Sequence, residues 1–126
     1  MKKILVAEDT ESNYLLLSII LRKEYEVHRA HDGQEAIEKF ESCRPDMILM
    51  DIKMPVMNGI ELIQKLSETY RNIVVVVLSG YGEYEFSSQA MEYGIRHYIL
   101  KPCDEDKIVA VMNDAKKEVD KRREYH

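Results

Sequence analysis

Short apolar runs alternate along this chain with longer segments of helical period. Ile4–Ala7, Val27–Ala30, Met47–Met50, Ile73–Leu78 and Tyr98–Leu100 recur roughly every 20 to 26 residues, the rhythm of strands alternating with helices. Between the first two runs, a helix is predicted from about Asn13 to Lys23, with Leu15, Leu16, Ile19 and Ile20 on one apolar face. Asp32 and Glu35 stand in capping-box spacing ahead of Ala36, Ile37 and Phe40. Asn58 and Glu61 repeat that device before Leu62, Ile63 and Leu66. A fourth helix, about Glu83 to Tyr93, stops at Gly94, the residue type that most readily takes a left-handed C-terminal cap. The last follows Pro102 and Asp104, with Ile108, Val111, Met112, Ala115 and Val119 as its stripe.

Strand and helix in alternation, joined by short links, imply parallel βαβ units with right-handed crossovers. The second strand, Glu26-Val27-His28-Arg29-Ala30, is the most polar of the five and belongs at a sheet edge; the first, third and fourth read as fully buried. The pattern fits an α/β, flavodoxin-like, doubly wound (βα)5 three-layer sandwich, its five-stranded parallel sheet ordered 2-1-3-4-5. Beyond Val119 the apolar stripe gives way to charge. A single domain is therefore expected over residues 1–119, with 120–126 a charged helix end or the start of a linker.

Bulk properties narrow the function. The chain has 126 residues, enough for one domain and one core, and its 45% apolar content excludes a disordered tail. A net charge of −5 argues against direct nucleic-acid binding by this segment and favours a partner with a basic patch. Cys43 and Cys103 form no CxxC and no His/Cys cluster, as in a reducing, cytoplasmic compartment. No apolar stretch is long enough for a membrane span or a signal sequence.

The chemistry lies at the strand ends. The first strand runs into Glu8-Asp9, the third into Asp51, the fourth into Ser79 and the fifth into Lys101-Pro102. Open α/β sheets bind ligands in the crevice outside these carboxyl ends. Carboxylates gathered there repel by about 4 kcal/mol per pair at ~4 Å and an effective dielectric of ~20. A hard divalent cation relieves that repulsion, and magnesium takes one or two carboxylates while keeping positions open for phosphoryl oxygens. Ser79 adds a hydroxyl and Lys101 a point charge, an arrangement suited to phosphoryl transfer by positioning and charge neutralisation. The carboxylate nucleophile would be Asp51, forming an aspartyl phosphate.

Four segments together carry a resemblance: Ile4-Leu5-Val6-Ala7-Glu8-Asp9; Asp46 through Asp51 to Ile52-Lys53-Met54-Pro55-Val56-Met57-Asn58-Gly59; Leu78-Ser79-Gly80; and Tyr98-Ile99-Leu100-Lys101-Pro102. In this order and spacing the chain resembles a response-regulator receiver domain of two-component phosphorelay signalling, over residues 2 to about 119. The resemblance implies Asp51 as phosphoacceptor, served by a histidine kinase or a histidine phosphotransfer protein. It implies Asp9, Asp51 and the Lys53 backbone carbonyl as direct Mg2+ ligands, with Mn2+ able to substitute, and Glu8 as a ligand through water. Ser79 matches the switch hydroxyl, Lys101 its charged partner, and Tyr98 the aromatic whose rotamer reports phosphorylation. Such a domain is a signalling module rather than an enzyme. It would signal to an output domain or a downstream protein through the face of the fourth helix, fifth strand and fifth helix, as a monomer or a phosphorylation-dependent dimer. The aromatic stretch Ser79–Phe86 is similar to receivers on transcription factors, whereas Glu8–Asn13 is similar to those of hybrid sensor kinases, the favoured context.

Rival readings remain. Glu8-Asp9 alone is more often a helix-capping pair, and Tyr98 on an edge strand more often simple packing. A haloacid-dehalogenase-type phosphohydrolase would want a second aspartate where Lys53 stands, and a cap domain. A phosphorylation-independent pseudo-receiver would lack the acceptor or the acid pair, and this chain has both.

Overall fold

The computed structural model describes residues 2–51, 64–66, 73–80, 97–100 and 104–124. Five parallel strands form one sheet: β1 (Lys2–Ala7), β2 (Tyr25–Ala30), β3 (Met47–Asp51), β4 (Val74–Ser79) and β5 (His97–Leu100), ordered β2-β1-β3-β4-β5. The order is the expected one, and its cause is burial. Every residue of β3 and β4 is buried, which only central strands covered on both faces can sustain. β2 alternates towards polar and half-exposed positions and takes the edge. β1 is pinned where β3 begins by a reciprocal pair: Asp46 N–H donates to the Lys3 carbonyl at 2.8 Å, and Lys3 N–H donates to Asp46 Oδ2 at 2.7 Å.

Helices cover both faces. α1 (Glu11–Leu21) and the C-terminal helix (Glu105–Glu124) share one cluster with Ile4, Val6, Met47, Leu49, Val76 and Ile99. α2 (Gly33–Cys43) and Leu66 share the other, with Leu5, Ile48, Met50, Val75 and Val77. α2 begins as its sequence predicts: Asp32 accepts from the Glu35 amide at 2.8 Å. The Glu35 carboxylate, however, bonds His31 and Lys39 instead of closing the capping box. Burial pushes the Glu35 carboxyl up, but bonds from His31 and Lys39 outweigh it and hold the group below its ordinary range. At the other end of α2 the backbone turns left-handed at Arg44, φ 49°, and the Arg44 amide donates to the Phe40 carbonyl at 3.1 Å. Lys39 also donates to the backbone carbonyl of Arg29 on β2.

One expectation fails. The inward face of α1 is not Leu15, Leu16, Ile19 and Ile20. Leu17, Ile20 and Leu21 are buried and Tyr14 is half-buried, while Leu15, Leu16 and Ile19 stand about half exposed. The helix also starts two residues earlier, at Glu11. A segment reading Leu-Leu-Leu-Ser-Ile-Ile-Leu is apolar nearly all round, so periodicity alone cannot set its rotation against the sheet. The C-terminal helix follows its predicted stripe: Ile108, Met112, Ala115 and Val119 are buried and Val111 half-buried. Asp104 Oδ1 accepts from the Lys107 amide at 2.9 Å at its start. The predicted fourth helix, and the third apart from 64–66, lie outside the described residues.

Candidate functional site

Register brings the acids together. Ala7 pairs with Met50, so Glu8 and Asp51, one position further on, emerge side by side from adjacent strands. Asp9 follows Glu8 into the β1–α1 link. Ligand oxygens of Glu8, Asp9 and Asp51 all lie within 4.8 Å of one another. Glu8 is fully buried, Asp51 is 5% exposed and Asp9 is exposed, so the cluster forms a cup with one rim open to solvent. On the other side of β3, Asp51 pairs with Leu78, and Ser79 stands one step beyond at 1% exposure. A buried carboxylate beside a buried hydroxyl in a parallel sheet is costly unless each finds a partner.

The Glu8 side chain has a second role. Its Oε1 accepts from the Thr10 amide at 3.2 Å and from Asn13 Nδ2 at 3.4 Å. Thr10 is the N-cap residue of α1, and its own side chain makes no capping bond. One acid of the cup therefore also steadies the start of the helix. Arg29, at the end of β2, reaches the same place. Its Nη1 donates to Glu11 Oε2 at 2.6 Å, its Nη2 to the Glu8 carbonyl at 3.4 Å, and its guanidinium lies 4.4 Å from the centre of the Tyr14 ring. The hydrogen bond from Arg29 holds the Glu11 carboxyl below its ordinary range.

Tyr98 pairs in register with Val77 and is half-buried against the cluster that includes α2. Burial pushes its phenol up from the usual value. Leu100, next to the end position Ser79 of β4, is largely exposed. His97, at the other end of β5, bonds Glu118 of the C-terminal helix. Lys53, Tyr81, Lys101 and Cys103 lie outside the described residues. Cys43 is a free, half-buried thiol, pushed up by burial. Among the residues at the cup, Asn13, Tyr14 and Arg29 were not foreseen. Their only sequence signal is proximity to the strand ends.

The donor set suits a hard divalent cation. Three carboxylates, offering oxygens alone at mutual distances that one ion can span, match magnesium better than a thiol- or imidazole-seeking metal.

An open parallel sheet with acids gathered at the carboxyl ends of its central strands defines an α/β domain with a candidate cation site at the mouth of the sheet. Comparison with known proteins takes this further. Residues 4–113 match the response regulator receiver domain family, and the chain belongs to it. It is 33% identical to the chemotaxis protein CheY of Thermotoga maritima over 118 residues, 92% of this chain and 98% of that protein. It is 41% identical over 100 residues to the uncharacterized transcriptional regulatory protein YesN of Bacillus subtilis, covering 79% of this chain but only 27% of that longer protein. A crystal structure of a receiver domain protein from Clostridium thermocellum superposes with a TM-score of 0.89 across the full length of both chains at 22% identity, a likeness of fold. The protein is thus a receiver domain of the two-component response-regulator kind.

Proposed function

We propose that Asp51 is the phosphoacceptor of this domain and that Glu8, Asp9, Asp51 and the Lys53 carbonyl hold Mg2+, or Mn2+ in its place. The observation that carries the reading is the convergence of three carboxylates within 4.8 Å at the mouth of the sheet. The bound ion would neutralise the acids and the incoming phosphoryl oxygens. An Asp51 oxygen attacks phosphorus, the phosphorus–nitrogen bond of a phosphohistidine breaks, and the imidazole leaves with its electron pair. Donor proteins of this chemistry are histidine kinases and histidine phosphotransfer proteins. The exposed Leu15, Leu16 and Ile19 lie on the helix that begins just after Asp9, and they offer such a donor an apolar surface.

Phosphorylation adds roughly −1.5 to −2 charges and strong acceptor oxygens at Asp51. Ser79 would donate its hydroxyl to the phosphoryl group and Lys101 its charge. Tyr98 would turn inward as Ser79 moves, altering the face that includes β5 and the C-terminal helix. Inverting such an equilibrium from 1:99 to 99:1 takes about 5.5 kcal/mol, within reach of a few charge-assisted hydrogen bonds. Among the described residues no helix is long and apolar enough to cross a membrane. We place the domain in the cytoplasm, with residues 1–119 as the receiver unit and 120–126 as a charged helix end or linker.

The test is labelling by acetyl phosphate with Mg2+. Asp51→Asn abolishes it, and Asp9→Asn removes its Mg2+ dependence. Label persisting at another residue in Asp51→Asn would refute the assignment; failure of the wild type to bind Mg2+ or beryllofluoride would favour a pseudo-receiver.

A further inference from the structure

Arg29 is more deeply engaged than an edge strand requires. A long cation at a sheet margin ordinarily runs its head into water. Here the side chain is only 13% exposed, while its partner Glu11 is 69% exposed. Its guanidinium fork spans the β1–α1 link. One arm holds the carbonyl of Glu8, just before Asp9, and the other holds Glu11, the first residue of α1. The Tyr14 ring stacks one turn further along. Strand pairing adds a fixed point, because the Glu8 amide donates to the Ala30 carbonyl at 3.0 Å.

The Glu8 carbonyl belongs to the peptide unit that joins Glu8 to Asp9. That unit is planar, so holding the oxygen restrains the plane from which Asp9 departs and leaves rotation about the Asp9 N–Cα bond as the next freedom to be limited. Asp9 is the exposed member of the cup and lies beyond the end of β1, in the link to α1. The N-cap side chain of Thr10 is no help, since it makes no capping bond. Among the described residues, Glu8 Oε1 restrains the link on one side and Arg29 on the other.

We propose that Arg29 is a positioning residue for the Mg2+ site, a clamp that holds Asp9 and the first turn of α1 as one unit. The proposal rests on the reading of Glu8, Asp9 and Asp51 as that site. It makes an unusual demand on sign. A cation near the cup repels Mg2+, so if Arg29 acted through charge alone, removing it would tighten metal binding. A clamp predicts the reverse, because loss of an outer partner loosens a ligand and typically costs about tenfold or more in metal affinity.

The experiment uses the full chain without any donor. Mg2+ affinity is measured by calorimetry at constant ionic strength for wild type, Arg29→Ala, Arg29→Lys and Glu11→Ala. Amide exchange over residues 10–14 is followed without metal. Arg29→Ala weakens Mg2+ binding about tenfold and speeds exchange across the first turn of α1. Arg29→Lys keeps the charge but loses the planar fork, and recovers only part of the affinity. Glu11→Ala, at an exposed position that leaves the core intact, moves both readouts in the same direction by a smaller factor. It stands in if Arg29→Ala does not fold. Unchanged or tighter Mg2+ binding in the variants overturns the clamp, as does unchanged exchange. If the wild type binds no Mg2+, the phosphoacceptor reading fails and the metal half of the proposal goes with it. Exchange still decides whether Arg29 braces the helix.

Discussion

α1 and the C-terminal helix pack on the same face of the sheet, yet they use their apolar residues differently. The C-terminal helix buries Ile108, Met112, Ala115 and Val119 and turns charge outward at Asp106, Lys107, Asp114 and Lys117. Of its larger apolar residues it leaves Val109 exposed, at 37%. α1 buries Leu17, Ile20 and Leu21 and still leaves Leu15, Leu16 and Ile19 in solvent. Three large apolar side chains on one short helix exceed the demands of packing, and that helix begins two residues after Asp9 of the acid cup. The contrast separates residues that hold the fold from residues available to a partner.

Core truncations should give the largest effect. Leu17→Ala and Met112→Ala should each destabilise the fold by about 2–5 kcal/mol in urea titrations, because each leaves a cavity. Equal tolerance of Leu17→Ala and Leu16→Ala would erase the distinction between the two faces of α1. Next, Leu16→Ala and Leu15→Ala should leave stability within about 0.5 kcal/mol of wild type. They should nevertheless slow phosphotransfer from a phosphohistidine protein by a factor corresponding to about 1 kcal/mol or more. Labelling by acetyl phosphate, which needs no docking surface, should not change; a parallel loss there would mean that the patch serves the site's structure. Smallest is a pH effect in the first turn of α1. Arg29 keeps Glu11 ionised below its ordinary pKa of 4.5, so this pair contributes stability above about that pH. The contribution is lost as pH falls through the lowered value. Protection of residues 11–14, taken as exchange relative to the intrinsic rate at each pH, should fall on acidification below pH ~4.5 in wild type and less so in Glu11→Ala.

The parallel sheet and its strand order were readable because burial on both faces leaves a continuous apolar run, as in Val74–Leu78, while an edge strand keeps polar positions such as Glu26 and His28. The meeting of Glu8 with Asp51 was readable for a related reason: both follow directly from such runs, and parallel register aligns their ends. The rotation of α1 was not, since a helix apolar on most sides carries no phase in its sequence. The Arg29 contacts were hidden too. Arg29 and Glu11 are 18 positions apart, and His97 and Glu118 are 21 apart. Nothing local distinguishes such pairs from other charges on a polar surface.

The lysine on α2 that reaches the Arg29 carbonyl bears on how the molecule behaves in a crowd. Carbonyls alternate in direction along a strand. The Ala30 oxygen points inward to the Glu8 amide, so that of Arg29 points out from the margin of the sheet. An unanswered row of such groups is a template on which a foreign strand can add. Here a long ammonium covers one of them and the strand itself carries Glu26, His28 and Arg29, while β5 spans four of the described residues at the opposite margin. The protein can keep a strongly apolar interior and still resist stacking edge to edge into fibres.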